Sequence, residues 1–484
     1  MQTSEAALSS HLERPLGRGH TPARAFTGAA GGAACGDLVR FSLALDEHSN
    51  DGTIVDAGFD ASGCGATVAA GSAAVSLVRG TPLLEAARVG TERIASELGG
   101  LSAGKRHAAE LAADALHRAL GHAARACAPL AADPARALVA MSGGVDSAVA
   151  ALLVREQGAD AVGVTLELWS DPDNDGESSC CSAQAVRGAR ALAHELGMAH
   201  LSIDLRAEFR EGVVDHWIAE HAEGLTPNPC IRCNGSVRLE AMLELADRLG
   251  SRTLATGHYA RTHERGTLRV AADARKDQSY VLCALAPSSL ERVRFPLGEL
   301  RKQEVREIAR SAGLAVARRR DSQDLCFLAG TRSDAFLERH GRIGRRRGAI
   351  VARGGERLGE HDGTHLFTTG QRRGLGISAR EPLYVLATNA RTNTVTVGPR
   401  AALLTPSLEL ASVTLMMAGA QIDSVRVRAH GRQLACRLAG APGEGTHTRA
   451  RVELGAPAER TAPGQVACLY AGELVAGFGT IADV

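Results

Sequence analysis

The stretch Ala140-Met-Ser-Gly-Gly-Val-Asp-Ser147 decides how this 484-residue chain is read. Leu138 to Ala140 close an apolar run that predicts the end of a buried strand. A helix is predicted from Asp146 to Gln157, with Ala148, Leu152 and Leu153 on one face and Gly158 as its stop. A Ser-Gly-Gly turn between strand and helix leaves backbone N–H groups unpaired where the helix dipole is positive, which predicts an anion site. The glycines permit the turn and let phosphate approach the backbone. No Gly-Lys-Ser/Thr follows, so the segment is not a Walker loop. Ala140, Met141, Ser142, Gly143, Gly144, Val145, Asp146 and Ser147 are the predicted phosphate cradle.

Strand-like and helix-like segments alternate around this loop from Ala135 to about Gly330. Ala161 to Leu168, Leu201 to Asp204 and Arg252 to Thr256 read as strands, and Ala183 to Leu196 as an amphipathic helix. Such alternation predicts a doubly wound parallel sheet with ligands at the carboxyl ends of its strands, where Ser142, Leu166 and Gly257 would lie.

Composition bounds the remaining possibilities. A chain of this length predicts three or four domains rather than one core. No apolar run is long enough to span a membrane and no signal sequence opens the chain, so a cytoplasmic address is expected. Residues 1–24 are expected to be disordered. A net charge of +1 excludes a global field for nucleic acid and leaves local groups such as Arg318 to Arg320 and Arg342 with Arg345 to Arg347. Only Lys105, Lys276 and Lys302 are lysines among 55 basic residues, which marks positions where a compact point charge differs from a guanidinium.

Eleven scattered cysteines do not resemble a secreted disulfide framework. In Thr226-Pro-Asn-Pro-Cys-Ile-Arg-Cys-Asn234, two prolines fix an extended turn and place Cys230 and Cys233 in the first turn of a helix running to about Leu249. There the dipole is expected to favour thiolate. Cys326 sits in the polar segment Asp321-Ser-Gln-Asp-Leu-Cys326-Phe327. Reactive thiols, an iron–sulfur site, structural zinc and inert buried cysteines all remain open on these residues alone. Cys180-Cys181 has no assignment.

Read together, these segments carry a family resemblance. The Ser-Gly-Gly loop is similar to the pyrophosphate loop of enzymes that split ATP into AMP and pyrophosphate. Ser142 to Ser147, Thr226 to Pro229 with Cys233-Asn234, Ala-Thr-Gly-His-Tyr259, Lys-Asp-Gln-Ser-Tyr280, Asp321 to Cys326 and Thr-x-Gly-Gln-Arg-Arg-Gly374 occur in one order. With Val395 to Pro399 and Pro463-Gly-Gln465 they make residues 135–484 resemble the tRNA-uridine 2-sulfurtransferases of the MnmA type. The resemblance implies ATP- and Mg²⁺-dependent thiolation of the wobble uridine. It assigns Leu166 and Gly257 to the nucleotide pocket, persulfide to Cys326 and nucleophile to Cys233, with a disulfide closing between them. Asn228, Pro229, Cys230, Lys276, Asp277 and Gln278 match segments that approach tRNA, whereas Lys302 suits a structural role. A cysteine at 230, where some members carry an acid, leaves open an iron–sulfur cluster on Cys230, Cys233 and Cys326.

Two further regions complete the expected architecture. Beyond Leu337, Val351 to Leu358, Tyr384 to Ala387 and Thr394 to Val397 predict a small central β domain. Val425 to His430, Ala435 to Leu438, Thr448 to Leu454 and Gln465 to Tyr470 predict a final β-barrel. Residues 25–122 resemble iron–sulfur scaffolds of the IscU/NifU type through Gly32 to Asp37, Ala61 to Thr67 and Gly104 to Ala112. That resemblance implies Cys35, Asp37, Cys64 and His107 as ligands for a cluster, iron or zinc. Ala108 stands where the family has a cysteine. The expected fold is multidomain α/β. An α+β scaffold-like domain occupies 25–122 and a linker 123–134, followed by a doubly wound parallel-sheet ATP-pyrophosphatase domain at 135–335. Two small β-rich domains take 336–402 and 403–484. Partners are tRNA and a cysteine desulfurase or other persulfide donor, with no membrane. An iron–sulfur carrier gated by ATP is the alternative function, and an ATP-dependent ligase the third.

Overall fold

A computed structural model describes residues 2–31, 36–171, 182–319 and 325–482. The chain forms two compact units, one of Met1–Arg206, Ala241–His258 and Arg292–Gln323, the other of Ala207–Glu240, Tyr259–Glu291 and Asp324–Val484.

In the first unit, β1 (Phe26–Gly31), β2 (Leu38–Leu45) and β3 (Ile54–Ser62) form an antiparallel sheet. Helices Gly65–Val78 and Arg106–Ala126 pack on it over a core including Phe41, Leu43, Ile54 and Phe59. Alternation of apolar residues explains β2 and β3, whereas the Ala/Gly-rich β1 carries no such signal. Residues 2–13 are helical rather than disordered. The His11 ring and the Leu16 N–H both meet the Ser72 hydroxyl at 2.8 Å, tying this end of the chain to the helix Gly65–Val78.

The same unit holds a parallel sheet in the order β10-β7-β4-β5-β6, with β4 Arg136–Ala140, β5 Asp160–Glu167, β6 Ala199–Asp204, β7 Thr253–Ala255 and β10 Val293–Arg294. The parallel sheet expected of the alternating segments is present. Helix Arg106–Ala126 also packs on β6 and meets helix Ala183–Glu195 through ion pairs and the His117 and His194 rings, so it is buried on more than one face. Across this junction Asp114 accepts from Arg190 at 2.6 Å and from Arg187 at 2.7 Å. The His117 ring is fully buried between the carbonyls of His200 and Val89, at 3.0 and 2.9 Å. The expected linker is bound as well: Leu130 N–H donates to Arg248 O and Ala131 N–H to Asn50 O, both at 2.7 Å.

In the second unit, β11 (Gly348–Ala352), β12 (Arg357–His361), β13 (Tyr384–Asn389) and β14 (Thr394–Gly398) make a sheet ordered β12-β11-β14-β13. The strand expected from Val351 to Leu358 is in fact a hairpin, with its turn at Gly354 and Gly355. Strands β15 (Leu404–Leu415), β16 (Ser424–Arg426), β17 (Leu434–Leu438), β18 (Gly445–Glu459), β19 (Val466–Ala471) and β20 (Leu474–Ile481) close into a barrel through β15–β20 pairing. Leu410, Val413, Val425, Val452 and Leu469 fill it. A hairpin from the middle of the chain, β8 (Arg261–His263) and β9 (Thr267–Arg269), extends this sheet beyond β20. The scarce aromatics concentrate here: Phe327 lies 5.3 Å from Trp217 and 5.2 Å from Phe336, ring centre to ring centre. No helix among the described residues is long and apolar enough to cross a membrane.

Candidate functional site

The predicted phosphate cradle sits between β4 and the helix Val145–Glu156, which Gly144 caps. Gly143 has φ +70°, the left-handed conformation that the turn requires. The Ser147 hydroxyl donates to Gly144 O at 3.1 Å and accepts from the Ser142 N–H at 3.1 Å, so the loop is held from inside. Arg319 donates to Gly143 O at 2.9 Å. Lys302 Nζ meets both carboxylate oxygens of Asp146, at 2.7 and 2.8 Å. Its structural role is to hold the first turn of the helix from a residue far along the chain. Leu166 is buried near the carboxyl end of β5, and Gly257 follows β7. A Cβ at Gly257 would lie 2.7 Å from Ser147 N and 2.8 Å from Asp146 C, so only glycine fits against the loop.

The thiol segment belongs to the second unit. Asn228 caps a helical turn, Pro229–Arg232, by accepting from the Cys230 N–H at 3.1 Å. The helix continues without a break through a π-helical stretch, Cys233–Arg238, into Leu239–Arg248, so Cys230 and Cys233 lie in the opening turn of a long helix, as the sequence predicts. The thiolate expected from this helix N-terminus is corrected for Cys230 by burial, which pushes its thiol up, and the Arg238 charge opposes this only in part. Cys233 is buried and Cys326 half-buried. Phe327, next to Cys326, is anchored in the aromatic cluster.

Around the RNA-matching triplet the geometry is uneven. Asp277 faces inward: it accepts from Arg426 at 2.5 Å, from the Ser279 hydroxyl at 2.8 Å and from the Ala271 N–H at 2.8 Å. Its side chain is 1% exposed, which leaves no carboxylate for RNA and was not readable from a charged residue in a polar run. Gln278 accepts from the Tyr259 N–H at 2.9 Å, and Lys276 is half-buried. Gln371 organises its own loop, accepting from Thr368 N–H at 3.0 Å and donating to Arg373 O at 2.9 Å.

In the scaffold-like domain, Asp37, Cys64 and His107 bring one ligand atom each to within 4.8 Å of one another. His107 Nε2 is 3.6 Å from Asp37, and its Nδ1 faces Gly104 O at 3.0 Å. The hydroxyl of Thr67 donates to Asp37 at 2.5 Å and holds its carboxyl below the usual range against the opposing effect of burial. Thiolate, carboxylate and imidazole together suit zinc or iron. Ala108 is fully buried, and Cys35 lies outside the described residues, as do Cys180 and Cys181.

Comparison with known proteins covers 98% of the chain. Residues 4–126 match the NifU-like N terminal domain, 135–330 the tRNA methyl transferase HUP domain, 334–399 the tRNA methyl transferase PRC-barrel domain, and 414–481 the aminomethyltransferase beta-barrel domain. The bifunctional protein NifU/MnmA of Rubrobacter xylanophilus is 42% identical over 98% of this chain and 97% of its own length. The tRNA-specific 2-thiouridylases MnmA of Thermobifida fusca and Geobacter metallireducens are 43% and 39% identical, each over 72% of this chain and 96% of their own length. The chain therefore belongs to the MnmA family, in the bifunctional form that carries a NifU-like domain ahead of the HUP domain.

Proposed function

We propose that this chain, a tRNA sulfurtransferase by family, replaces the C2 oxygen of the wobble uridine with sulfur by adenylation and persulfide relay. The uracil oxygen is a poor leaving group. Its attack on the α-phosphate of ATP forms an O-adenylyl uridine and releases pyrophosphate. The turn Ser142–Gly144, the helix N-terminus behind it and Arg319 supply the positive potential that a polyphosphate with Mg²⁺ requires. Both oxygens of Asp146 face Lys302, so Asp146 holds the loop rather than a metal.

The terminal sulfur of a persulfide on Cys326 then attacks C2 and AMP departs. The Cys233 thiolate attacks Cys326 Sγ, the 2-thiouridine leaves, and a Cys233–Cys326 disulfide remains for an external thiol to reduce. The observation that carries this reading is a pair of cysteines, one buried and one half-buried, at the two positions that match the family's cysteine motifs. A cysteine desulfurase is the proposed persulfide source. The NifU-like domain is read as its receiving element, with Asp37, Cys64 and His107 to hold zinc or iron, a centre that would polarise and orient an incoming sulfur.

Full-length protein, prepared anaerobically and assayed for iron, is tested with ATP, tRNA, desulfurase and cysteine. Thiolation by iron-free protein, lost in Cys233→Ala and Cys326→Ala and retained in Cys230→Ala, is expected. Activity that tracks iron and also disappears in Cys230→Ala would replace the relay with a cluster. Cys64→Ala is the test of delivery: it should slow desulfurase-dependent thiolation and spare thiolation driven by a small-molecule persulfide, which passes its outer sulfur to Cys326 and leaves as a thiol.

A further inference from the structure

We propose that Arg426 of the C-terminal barrel positions Lys276 and Gln278, so that the barrel sets the geometry of the loop offered to RNA. The inference rests on the reading of the chain as a tRNA-thiolating enzyme, and on three anchors within the second unit. The hairpin before the loop is a continuation of the barrel: Arg269 of β9 pairs with Leu474 of β20, Val270 N–H donates to Glu473 O at 3.0 Å, and Arg261 reaches the Glu473 carboxylate at 3.2 Å. After the loop, the Ser279 and Tyr470 hydroxyls meet at 3.2 Å, and the Tyr280 hydroxyl donates to Val466 O at 2.8 Å.

Between these lies the ion pair of Asp277 with Arg426, whose side chains are 1% and 10% exposed, with the guanidinium 5.4 Å from the centre of the Tyr470 ring. Asp277 also accepts from Ala271 and Ser279 N–H, so it fastens both ends of its own loop to one guanidinium. Lys276 and Gln278 are its immediate neighbours and cannot keep their places if it moves. Removing Arg426 leaves a carboxylate buried without its cation, which is relieved by hydration of the loop. Hydration means displacement of the lysine.

tRNA affinity, thiolation kinetics and Tm are measured on the full chain for Arg426→Ala, Arg426→Lys, Lys276→Ala and the double variant Arg426→Ala with Lys276→Ala. Arg426→Ala should weaken tRNA binding about tenfold with a smaller change in kcat, and Arg426→Lys should recover part of the loss. Lys276→Ala should weaken binding in the wild type and add little in the Arg426→Ala background, the signature of one acting through the other. Independent, multiplicative losses overturn the proposal, as does an Arg426→Ala chain that melts earlier yet binds tRNA as tightly as wild type when folded. Where Arg426→Ala does not fold, Asp277→Asn combined with Arg426→Gln neutralises both charges and enters the same cycle. A wild-type chain that binds tRNA without making 2-thiouridine overturns the thiolation reading alone, because the cycle is still read in binding.

Discussion

At the scale of single residues, the phosphate loop depends on contacts made from a distance. Lys302 clamps Asp146 across 156 residues, and Gly257 abuts the backbone of Asp146 and Ser147. A methyl group at 257 cannot be absorbed by a flexible neighbour, because the atoms it meets are main chain. Gly257→Ala should therefore lower kcat/KM for ATP by about tenfold or more while leaving tRNA affinity unchanged, which paired titrations of the two substrates would show. The loop itself was legible in the sequence because its turn and its helix start each demand particular residues. The importance of Lys302 was legible as a lysine surviving among arginines and, through the family resemblance, as a residue suited to a structural role. Its partner was not, since charge pairing across 156 residues leaves no local pattern. Asp277 was misjudged for a related reason: nothing in Lys276-Asp277-Gln278 shows that an arginine 149 residues later buries it.

At the scale of elements, the helix that opens at Pro229 shows how burial changes chemistry. The prolines correctly marked an extended entry into helix. The helix runs on through Cys233–Arg238 to Arg248, yet burial rather than the dipole decides the state of Cys230. Strands β1 and β20 escaped the sequence reading because small residues and glycines blur their alternation, and β15 because register shifts near Thr405 and Ser412 interrupt it, although pairing with neighbours fixes all three. Helix Ala183–Glu195 carries His194 into the junction with helix Arg106–Ala126, beside His117 and His200. Burial lowers His194 to about 4 and puts His117 and His200 well below the ordinary value. In the unfolded chain these rings take up protons below about pH 6.5, while the folded junction refuses them. Their stabilising effect is thus complete above about pH 6.5 and declines as pH falls toward 4, by up to about 1.4 kcal/mol per pH unit per ring. His194→Gln keeps an amide donor for the Ala87 carbonyl and removes the titration. Its Tm should fall less than that of wild type between pH 7 and 5, and equal falls would contradict the assignment.

At the scale of the whole molecule, the NifU-like domain is built into the unit that holds the phosphate loop. Helix Arg106–Ala126 begins beside the Asp37, Cys64 and His107 cluster and continues onto β6, with Asp114 joined to Arg187 and Arg190 along the way. Asp114→Ala strands the buried Arg190 and should cost about 3–5 kcal/mol, measured by denaturant unfolding of the full chain. Loss below about 1 kcal/mol would mean that the junction is held elsewhere. The two-domain character of the region was legible from its motifs, and the shared helix was not, because the partners that bury Asp114 and His117 lie far along the chain and leave no local pattern. The central claim concerns sulfur, and one measurement addresses it most directly: a single turnover with ATP, tRNA and Cys326 persulfide in the absence of reductant, followed by mass mapping of the thiols. The relay predicts one AMP and one Cys233–Cys326 disulfide for each 2-thiouridine formed. Thiouridine formed while both cysteines remain free thiols would contradict it.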